Sequence, residues 1–286
     1  MTEAASPRVR FQLGRDFVGE GCPAFVIAEI GINHNGDFNR AKELMDSAKA
    51  AGANAVKLQT YLTEKRVARD SPIFGILKQC EIPFADQRRL FEYADSIGAT
   101  CFSTPFDDES VDFLTEVGAP CFKIASFDVV NLPLLRRAAA KERPMIVSRG
   151  MASREELDRA VEIMRAARVA FALLHCVSAY PVKSLGDLNL STIRALGERY
   201  GCPVGFSDHT LGITAPQFAV LAGATLIEKH FTYSKLASGP DHAMSLEPAE
   251  FRAMVESIHI AEEALGEPVW SAVATEADIL QYRRNR

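Results

Sequence analysis

Two histidines late in the chain stand where apolar runs end in polar clusters. His209 lies in residues 205–210 (GFSDHT), and His230 lies in residues 227–231 (IEKHF). Such an ending is typical of a buried strand that emerges into a reaction site. Neutral imidazole is the commonest protein ligand for a divalent transition metal, and two imidazoles leave coordination positions open for water and substrate oxygen. We therefore predict that His209 and His230 are a metal pair, although a histidine packed at a strand end would give either pattern alone.

Polar residues also end the earlier apolar runs, and this recurrence favours one shared site over two isolated histidines. These residues are Glu29, Lys57, Gln59, Thr104, Lys123, Ser126, Ser148, Tyr180 and Ser207. For Lys57 and Lys123 the alternative is a surface lysine whose stem covers apolar residues. A lysine buried in a cavity is costly without an anion, so an anion-binding role is favoured for both.

The elements that must bring these residues together alternate along the chain. Apolar runs of strand length are separated by stretches with helical periodicity. There are eight such runs, at residues 24–30, 55–59, 100–104, 121–126, 144–148, 171–176, 204–207 and 226–230. This repetition favours a parallel (β/α)8 TIM barrel over a doubly wound sheet, and in that fold the carboxyl ends of the strands converge on the active site.

Helix signals support the alternation. Ser153 and Glu156 have the spacing of a capping box and begin a helix between the fifth and sixth runs. The last helix is predicted to start at Pro248 and to stop at Gly266. The residues predicted to form the buried faces of the first and last helices are Ala41, Leu44, Met45, Ala48, Phe251, Met254, Ile258, Ala261 and Leu265.

The chain reads as one catalytic barrel with short extensions. Residues 8–13 and 16–18 predict a β-hairpin with Gly14 in the turn, and such a hairpin could plug one end of a barrel. We therefore divide the chain into a hairpin extension (1–22), the barrel (23–268) and a C-terminal tail or truncated linker (269–286).

Composition excludes several classes of function. The net charge of -5, with acidic and basic residues interspersed, argues against a nucleic-acid-binding surface. The six cysteines lack metal-site spacing, and several sit in apolar runs, which fits a reducing compartment. No apolar signal core opens the chain, and no stretch approaches the length of a membrane span. We expect a soluble, cytoplasmic protein without nucleic-acid or membrane partners.

Several stretches, in order, resemble the signature segments of the sialic acid synthase family. They are residues 27–37, 56–60, 102–106, 174–176, 207–211 and 239–242. The resemblance covers nearly the whole chain. It implies a barrel that condenses phosphoenolpyruvate with an N-acetylated amino sugar, such as N-acetylmannosamine, to give a nine-carbon 2-keto acid. It also implies a divalent metal, Mn²⁺ in the first place with Mg²⁺ or Co²⁺ as alternatives, and a homodimer.

The resemblance assigns roles to the residues found above. Lys57, Lys123, Thr104, Ser126, Ser148 and Ser207 match the positions that hold phosphoenolpyruvate. The metal on His209 and His230 would polarise the sugar aldehyde. Glu29 matches a carboxylate placed near metal-bound water or the sugar hydroxyls. Gln59, Tyr180 and Asp241 match positions on the sugar side.

Three residues depart from the family pattern. Arg149 stands where the family has threonine, Asp128 where it has glutamate, and Ser178 where it has asparagine. Asp128 matches a catalytic acidic position, and Ser178 matches a position in the substrate site. We expect Arg149 to reach the phosphate or an acidic substituent on the second substrate; the alternative is an ion pair with Asp128 that only sets a loop.

The family usually continues into a small antifreeze-like domain, which delivers an arginine to the partner subunit's sugar site. This chain stops at residues 282–286, where that linker would begin. The expectation is therefore a barrel lacking this domain, with a separate chain as a possible source of it.

Two other functions are compatible with the same residues. A metal-dependent aldolase or another aldose-condensing synthase would use the same scaffold, and an aldolase working on pyruvate would release no phosphate. A non-catalytic sugar-binding or phosphate-binding module is the second alternative, but the predicted metal and anion residues favour an enzyme.

Overall fold

The computed structural model describes residues 9–284, and its centre is a closed barrel of eight parallel strands. In chain order the strands are β1 (Arg10–Leu13), β2 (Asp16–Gly19), β3 (Phe25–Gly31), β4 (Ala55–Thr60), β5 (Thr100–Pro105), β6 (Phe122–Ile124), β7 (Met145–Ser148), β8 (Phe171–Cys176), β9 (Val204–Asp208) and β10 (Leu226–His230). Strands β3 to β10 form the barrel, which closes where β10 pairs with β3. The predicted (β/α)8 TIM barrel is confirmed.

Helices follow the barrel strands and cover the outside of the sheet. They are α1 (Phe38–Ala50), α2 (Thr63–Arg66), α3 (Phe74–Cys80), α4 (Phe84–Ser96), α5 (Asp108–Glu116), α6 (Leu132–Ala139), α7 (Arg154–Ala166), α8 (Ser191–Tyr200), α9 (Thr214–Leu221) and α10 (Pro248–Leu265). Short 3-10 segments span Leu185–Leu188, His242–Met244 and Ala274–Tyr282. Among the described residues, no helix is long and apolar enough to cross a membrane.

The barrel strands are buried on both faces, so alternate residues point into the barrel and out toward the helices. The inward residues at the amino ends of the strands form one apolar cluster, which includes Phe25, Ile27, Phe102, Ile146 and Leu226. The outward residues pack with the helices in a separate, larger cluster. The charged inward residues therefore lie toward the carboxyl ends.

The N-terminal hairpin closes the bottom of the barrel, as predicted. Strands β1 and β2 pair antiparallel, and Leu13 and Val18 are fully buried in the apolar cluster inside the barrel. Gly14 has φ +60°, and a Cβ there would lie 2.7 Å from the side chain of Thr100, so the turn requires glycine. Residues 1–8, including the predicted strand residue Arg8, and residues 285–286 lie outside the described part.

The helix predictions are largely confirmed. Ser153 and Glu156 form the capping box of α7, and α10 runs from Pro248 to the residue before Gly266. The buried face of α1 is the one predicted. Leu265, however, is 59% exposed, because it is the last residue of α10 and lies one turn beyond the last buried residue, Ala261.

The fourth apolar run is shorter as a strand than predicted. Strand β6 ends at Ile124, and the backbone then turns so that the amide of Asp128 donates to the carbonyl of Ala125. Ser126, expected within the strand, therefore lies on the turn at the barrel mouth. The C-terminal segment 267–284 is exposed along its whole described length.

A core mutation should test the plug formed by the hairpin. Leu13→Ala removes a fully buried side chain from the barrel bottom, so we expect the free energy of unfolding to fall by about 2–5 kcal/mol. Urea denaturation followed by circular dichroism measures this. The matched control is Phe17→Ala on the same hairpin, where the ring is 53% exposed and the loss should be much smaller. Equal losses of stability in the two variants would show that Leu13 is not packed inside the barrel.

Candidate active site

A cavity of about 260 Å³ opens at the carboxyl ends of the barrel strands. Most of the residues predicted for the site line it. They are Glu29, Lys57, Gln59, Thr104, Lys123, Ser126, Ser148, Tyr180, Ser207, His209, His230 and Asp241. The apolar cluster below seals the barrel, so the cavity is a closed-ended pocket in which charges are held in a medium of low dielectric constant.

Strand alternation explains which side chains reach the cavity. On β10, Leu226 belongs to the interior apolar cluster, so Glu228 and His230 follow on the same face at intervals of two residues. Both line the cavity. Lys229, between them, points outward. Glu228 was not among the predicted site residues, although the position of His230 and the two-residue period were sufficient to find it.

The floor of the cavity is a cluster of buried charges centred on Glu228. Its Oε2 lies 2.8 Å from Lys57 Nζ and 3.9 Å from Lys123 Nζ. Ser207 Oγ donates a hydrogen bond of 2.7 Å to Glu228 Oε1. One carboxylate is therefore shared by two ammonium groups, and all four of these residues are buried.

Two further residues complete the charged floor. Lys57 Nζ also lies 3.2 Å from Glu29 Oε2, and Lys123 Nζ donates to Ser148 Oγ at 2.7 Å. The ion contacts leave Oε2 of both glutamates without a well-aligned hydrogen bond. The lysines therefore keep N–H groups that an incoming anion could use.

Burial and mutual charge set the protonation of this cluster. Burial raises the pKa of Glu29 to about 7, although Lys57 opposes the rise. Burial lowers the pKa of Lys123 to about 8, because Glu228 only partly offsets the loss of solvation. Burial alone would raise the pKa of Glu228, but Lys123 and Lys57 outweigh it and hold that pKa well below its usual range. Near neutral pH the floor thus gains positive charge whenever Glu29 binds a proton.

The two predicted metal ligands face each other across the cavity. The ring centroids of His209 and His230 are 5.6 Å apart. His209 Nδ1 lies 3.0 Å from the carbonyl oxygen of Val177, a distance at which Nδ1–H donates and Nε2 keeps its lone pair. His230 Nδ1 is buried without a hydrogen bond and lies 3.7 Å from Asp241 Oδ2.

This donor set fits a divalent cation. Burial lowers the pKa of both histidines, so both rings are neutral and able to coordinate. Within residues 9–284 no group of three or more His, Cys, Asp or Glu side chains has the arrangement of a metal site. A cation held by His209 and His230 would therefore take its remaining ligands from water or substrate.

An ion pair outside the barrel fixes the turn that carries His209. Lys229 Nζ lies 2.6 Å from Asp208 Oδ2 and donates at 2.6 Å to the carbonyl of Thr210, and both charged side chains are fully buried. Asp208 Oδ1 also accepts from the amide of Thr210 at 2.9 Å. The outward residues of β9 and β10 thus hold the backbone on both sides of His209.

The segment after β3 serves mainly to anchor the loop that carries Asp241. Asn33 Nδ2 donates to the carbonyl of Phe231 at 2.8 Å, and Asn35 Nδ2 donates to the carbonyl of Ser238 at 2.9 Å. His242 Nδ1 lies 2.7 Å from Thr232 Oγ1. Together with the 3.4 Å contact between His242 Nε2 and Asn35 Oδ1, these contacts tie the predicted signature segment 27–37 to the loop that leads into the second one, 239–242.

The residues predicted to bind the sugar form a second polar group. Gln59 Nε2 donates to Glu29 Oε1 at 3.0 Å, and Gln59 Oε1 accepts from Arg66 Nη1 at 3.0 Å. Arg66, at the end of α2, lines the cavity but was missed by the sequence analysis, because it lies in an irregular stretch without strand or helix periodicity. Burial raises the pKa of Asp241 to about 6, against the opposing charges of Arg66 and Lys57.

Arg149 does not reach the cavity. Ser148 faces inward at the end of β7, so the next residue faces outward, and Arg149 Nη1 donates to the carbonyl of Ala152 at 3.2 Å. Arg149 therefore does not line the cavity, contrary to its predicted place in the substrate site. The alternative ion pair with Asp128 is absent as well, since no carboxylate in residues 9–284 lies within 4.0 Å of Arg149.

The other two departures from the family pattern lie behind the cavity lining. Ser178 Oγ is 2.9 Å from Ser126 Oγ, so it supports a lining residue without lining the cavity itself. Asp128 is also outside the lining, and burial raises the pKa of its carboxyl group. Its position lets it act on the cavity through the electrostatic field at Lys123 and Arg66.

Comparisons with known proteins give matches over most of the chain. Residues 44–269 match the sequence model of the NeuB family. An N,N'-diacetyllegionaminic acid synthase of Legionella pneumophila is 41% identical and covers 87% of this chain and 75% of its own length. The N-acetylneuraminate-9-phosphate synthase of Homo sapiens is 36% identical and covers 88% of this chain and 74% of its own length.

A solved structure is similar over almost the whole chain. The N-acetylneuraminic acid synthetase of Leptospira borgpetersenii, in complex with citrate, superposes with a TM-score of 0.91 at 38% sequence identity. The match covers 96% of this chain and 97% of that one.

Removing the shared carboxylate should destabilise the barrel. Glu228→Gln leaves Lys57 and Lys123 buried beside each other without their common counter-charge, so we expect unfolding to require about 3–5 kcal/mol less free energy. Urea denaturation at pH 7 measures the change. Glu109→Gln, which removes an exposed carboxylate from its contact with Lys65, is the control and should cost less than about 1 kcal/mol. A stability of Glu228→Gln equal to that control would show that Glu228 does not balance the lysines.

Proposed function

Because the chain belongs to the NeuB family, we propose that it is a divalent-metal-dependent synthase that condenses phosphoenolpyruvate with an N-acetylated amino sugar. The products are a nine-carbon 2-keto sugar acid and phosphate. The named relatives include sialic, legionaminic and pseudaminic acid synthases. The observation that carries the proposal is the juxtaposition of a lysine-rich, buried floor with two neutral histidines in one cavity.

Phosphoenolpyruvate fits the charged floor. Its phosphate and carboxylate need fixed cations and hydroxyl donors, and Lys57 and Lys123 supply the cations. The hydroxyl groups proposed to orient it are those of Thr104, Ser126, Ser148 and Ser207. Because Glu29 has a pKa of about 7, proton uptake at Glu29 would remove the negative charge that faces the incoming anion.

His209 and His230 would hold the metal. A divalent cation bound there, Mn²⁺ in the first place with Mg²⁺ or Co²⁺ as alternatives, would supply Lewis-acid polarisation of the sugar aldehyde. Asp241 lies beside His230 and would orient that ring or accept a hydrogen bond from a sugar hydroxyl.

The reaction forms one carbon–carbon bond and replaces the C2–O bond to phosphate with a C2–O bond to the oxygen of water, and the proton released by water balances the one taken up by the aldehyde oxygen. C3 of the enol phosphate attacks the aldehyde carbon, water adds at C2, and phosphate leaves with the C2–O bond electrons. Glu29 is the residue proposed to move protons, because its carboxyl group titrates near neutral pH and is oriented by Gln59. Gln59, Asp241 and Tyr180 would bind the sugar, while Asp128 tunes the field around Lys123 without touching substrate.

A coupled assay tests the function directly. The chain is supplied with phosphoenolpyruvate, Mn²⁺ and a panel of N-acetylated amino sugars, and both phosphate and 2-keto acid are measured. We expect the two products in equal amounts. Formation of a 2-keto acid from pyruvate without phosphate release would indicate an aldolase instead, and binding without turnover would indicate a sugar-binding module.

Loss of either histidine should abolish metal-dependent turnover without unfolding the barrel. His209→Ala and His230→Ala each remove half of the proposed protein ligand set. Turnover is measured against Mn²⁺ concentration, and Mn²⁺ binding is measured by calorimetry. The exposed His259 supplies the control, since His259→Ala should match the unmodified chain. Full activity in either cavity mutant would refute the metal assignment.

Affinity for phosphoenolpyruvate should fall as the pH rises through about 8. Burial depresses the pKa of Lys123 to about 8, so the charge that binds the anion is present below that pH and lost above it. Calorimetric titration between pH 6.5 and 9.5 measures the dependence. In Lys123→Arg the fall should flatten, because guanidinium stays protonated, and Lys123→Met should bind weakly at every pH. An unchanged pH profile in Lys123→Arg would exclude Lys123 as the titrating group.

A further inference from the structure

Arg66 is a cation in the cavity that the roles above leave unexplained. Its guanidinium lies over the ring of Phe106, 3.6 Å from the centroid, and 4.5 Å from the centroid of Tyr61. Its Nη1 donates to Gln59 Oε1. Stacking on two rings and one directional hydrogen bond hold the planar group in a fixed orientation.

Most of the hydrogen-bonding capacity of Arg66 is uncommitted. A guanidinium carries five N–H donors, and in the described part of the chain only Nη1 has a hydrogen-bond acceptor, Gln59. No carboxylate in residues 9–284 lies within 4.0 Å of it. Arg66 nevertheless lines the cavity, so its remaining donors are available to a bound molecule.

The surface next to Arg66 is apolar. Leu77 on α3 packs in one cluster with Tyr61 and Phe106, the two residues that stack on the guanidinium. Ile73 and Ile76 from the same part of the chain also line the cavity, yet their side chains remain nearly half exposed. The cavity therefore combines a hydrogen-bond donor with an uncovered aliphatic wall.

We propose that Arg66 and this wall recognise an acylamido group on the second substrate. Arg66 donates to the acyl carbonyl oxygen, and the alkyl part of the acyl group packs against Ile73, Ile76 and Leu77. The inference rests on the proposed function for the identity of the second substrate. It adds a specificity-determining residue that makes no direct contact with Lys57 or Lys123.

The surroundings favour a neutral carbonyl over a second anion. Asp128 and Asp241 are the carboxylates whose charge acts most strongly on Arg66. A phosphate placed at Arg66 would be repelled by the negative charge of these two carboxylates, and its other oxygens would face the aliphatic wall without donors. An amide carbonyl needs one or two donors and presents an alkyl group beside them, which matches this arrangement.

Steady-state kinetics with matched sugars test the assignment. The acceptors are N-acetylmannosamine, mannose and N-acetylmannosamine 6-phosphate, and the variants are Arg66→Met, Arg66→Lys and the control Arg69→Met, which changes an exposed arginine three residues away. Arg66→Met should raise KM for N-acetylmannosamine about 10- to 100-fold, the usual range for losing a charged hydrogen bond. The KM for phosphoenolpyruvate should change much less than the KM for N-acetylmannosamine in every variant, because Arg66 reaches Lys57 only through Gln59 and Glu29.

The pattern across acceptors identifies the role. Mannose should be a poor acceptor for the unmodified chain and should lose nothing further in Arg66→Met. Arg66→Lys should recover only part of the preference, because its ammonium lacks the planar fork. An equal loss with both sugars would assign Arg66 a structural role. A preference for the 6-phosphate that Arg66→Met abolishes would make it an anion site. Either result overturns the proposal.

Separate measurements test the proposed synthase function and the role proposed for Arg66. If the unmodified chain releases no phosphate with any sugar, the synthase assignment is wrong, and Arg66 is then judged by calorimetric binding of N-acetylmannosamine alone. Binding that weakens at least tenfold in Arg66→Met but not in Arg69→Met supports the acyl site. Equal binding by both variants refutes it.

Discussion

The shared carboxylate of Glu228 is the interaction on which the rest of the site depends. Two lysines in one buried cavity repel each other and lose their hydration, and neither cost is tolerable without a negative charge between them. Glu228 supplies that charge from β10, and Ser207 fixes its second oxygen from β9. Glu29, whose pKa is about 7, adds a charge that can be withdrawn by protonation. Glu228 thus balances the charges of the two lysines, and protonation of Glu29 changes the net charge of the cavity floor.

The inward residues of β9 and β10 line the cavity, and the outward residues of the same strands hold the turn that follows β9. Inward residues of β9 and β10 place the serine, the glutamate and the histidine, while outward Asp208 and Lys229 form a fully buried pair that holds the turn after β9. A buried ion pair contributes little net stability. Instead, its hydrogen bonds to the backbone of Thr210 hold the main chain on both sides of His209 in place. The position of the His209 backbone at the barrel mouth therefore depends on polar contacts behind the sheet.

The sequence was sufficient for the barrel because the strands are mainly apolar runs and most helices between them have a clear buried face. The short helices α2 and α3 are the exceptions, since they lie in a stretch without helical periodicity. The sequence was also sufficient for most of the cavity lining, since a polar residue near the carboxyl end of a buried strand must face either the cavity or a helix. The prediction that a polar residue at a strand end lines the cavity does not hold for Arg149. Ser148 faces the cavity, so the next residue faces the outside of the barrel. Glu228 was not predicted, although it lies two residues before His230 on the same strand and therefore faces the same side. Arg66 had no detectable signal, because its place is set by stacking on Phe106, which lies far away in the sequence.

Because Glu228 and His230 are two residues apart on one strand, the main chain fixes the Cα separation between the residue that balances the lysines and one of the two proposed metal ligands. Two residues of a parallel strand span about 6.6 Å, and neither side-chain repacking nor loop movement changes that length appreciably. Changes in the surrounding loops can therefore alter which molecule enters the cavity while the spacing of its reactive groups stays constant. Divergence of acceptor preference within this architecture is then expected to accumulate in segments such as α2 and α3, and to spare β10.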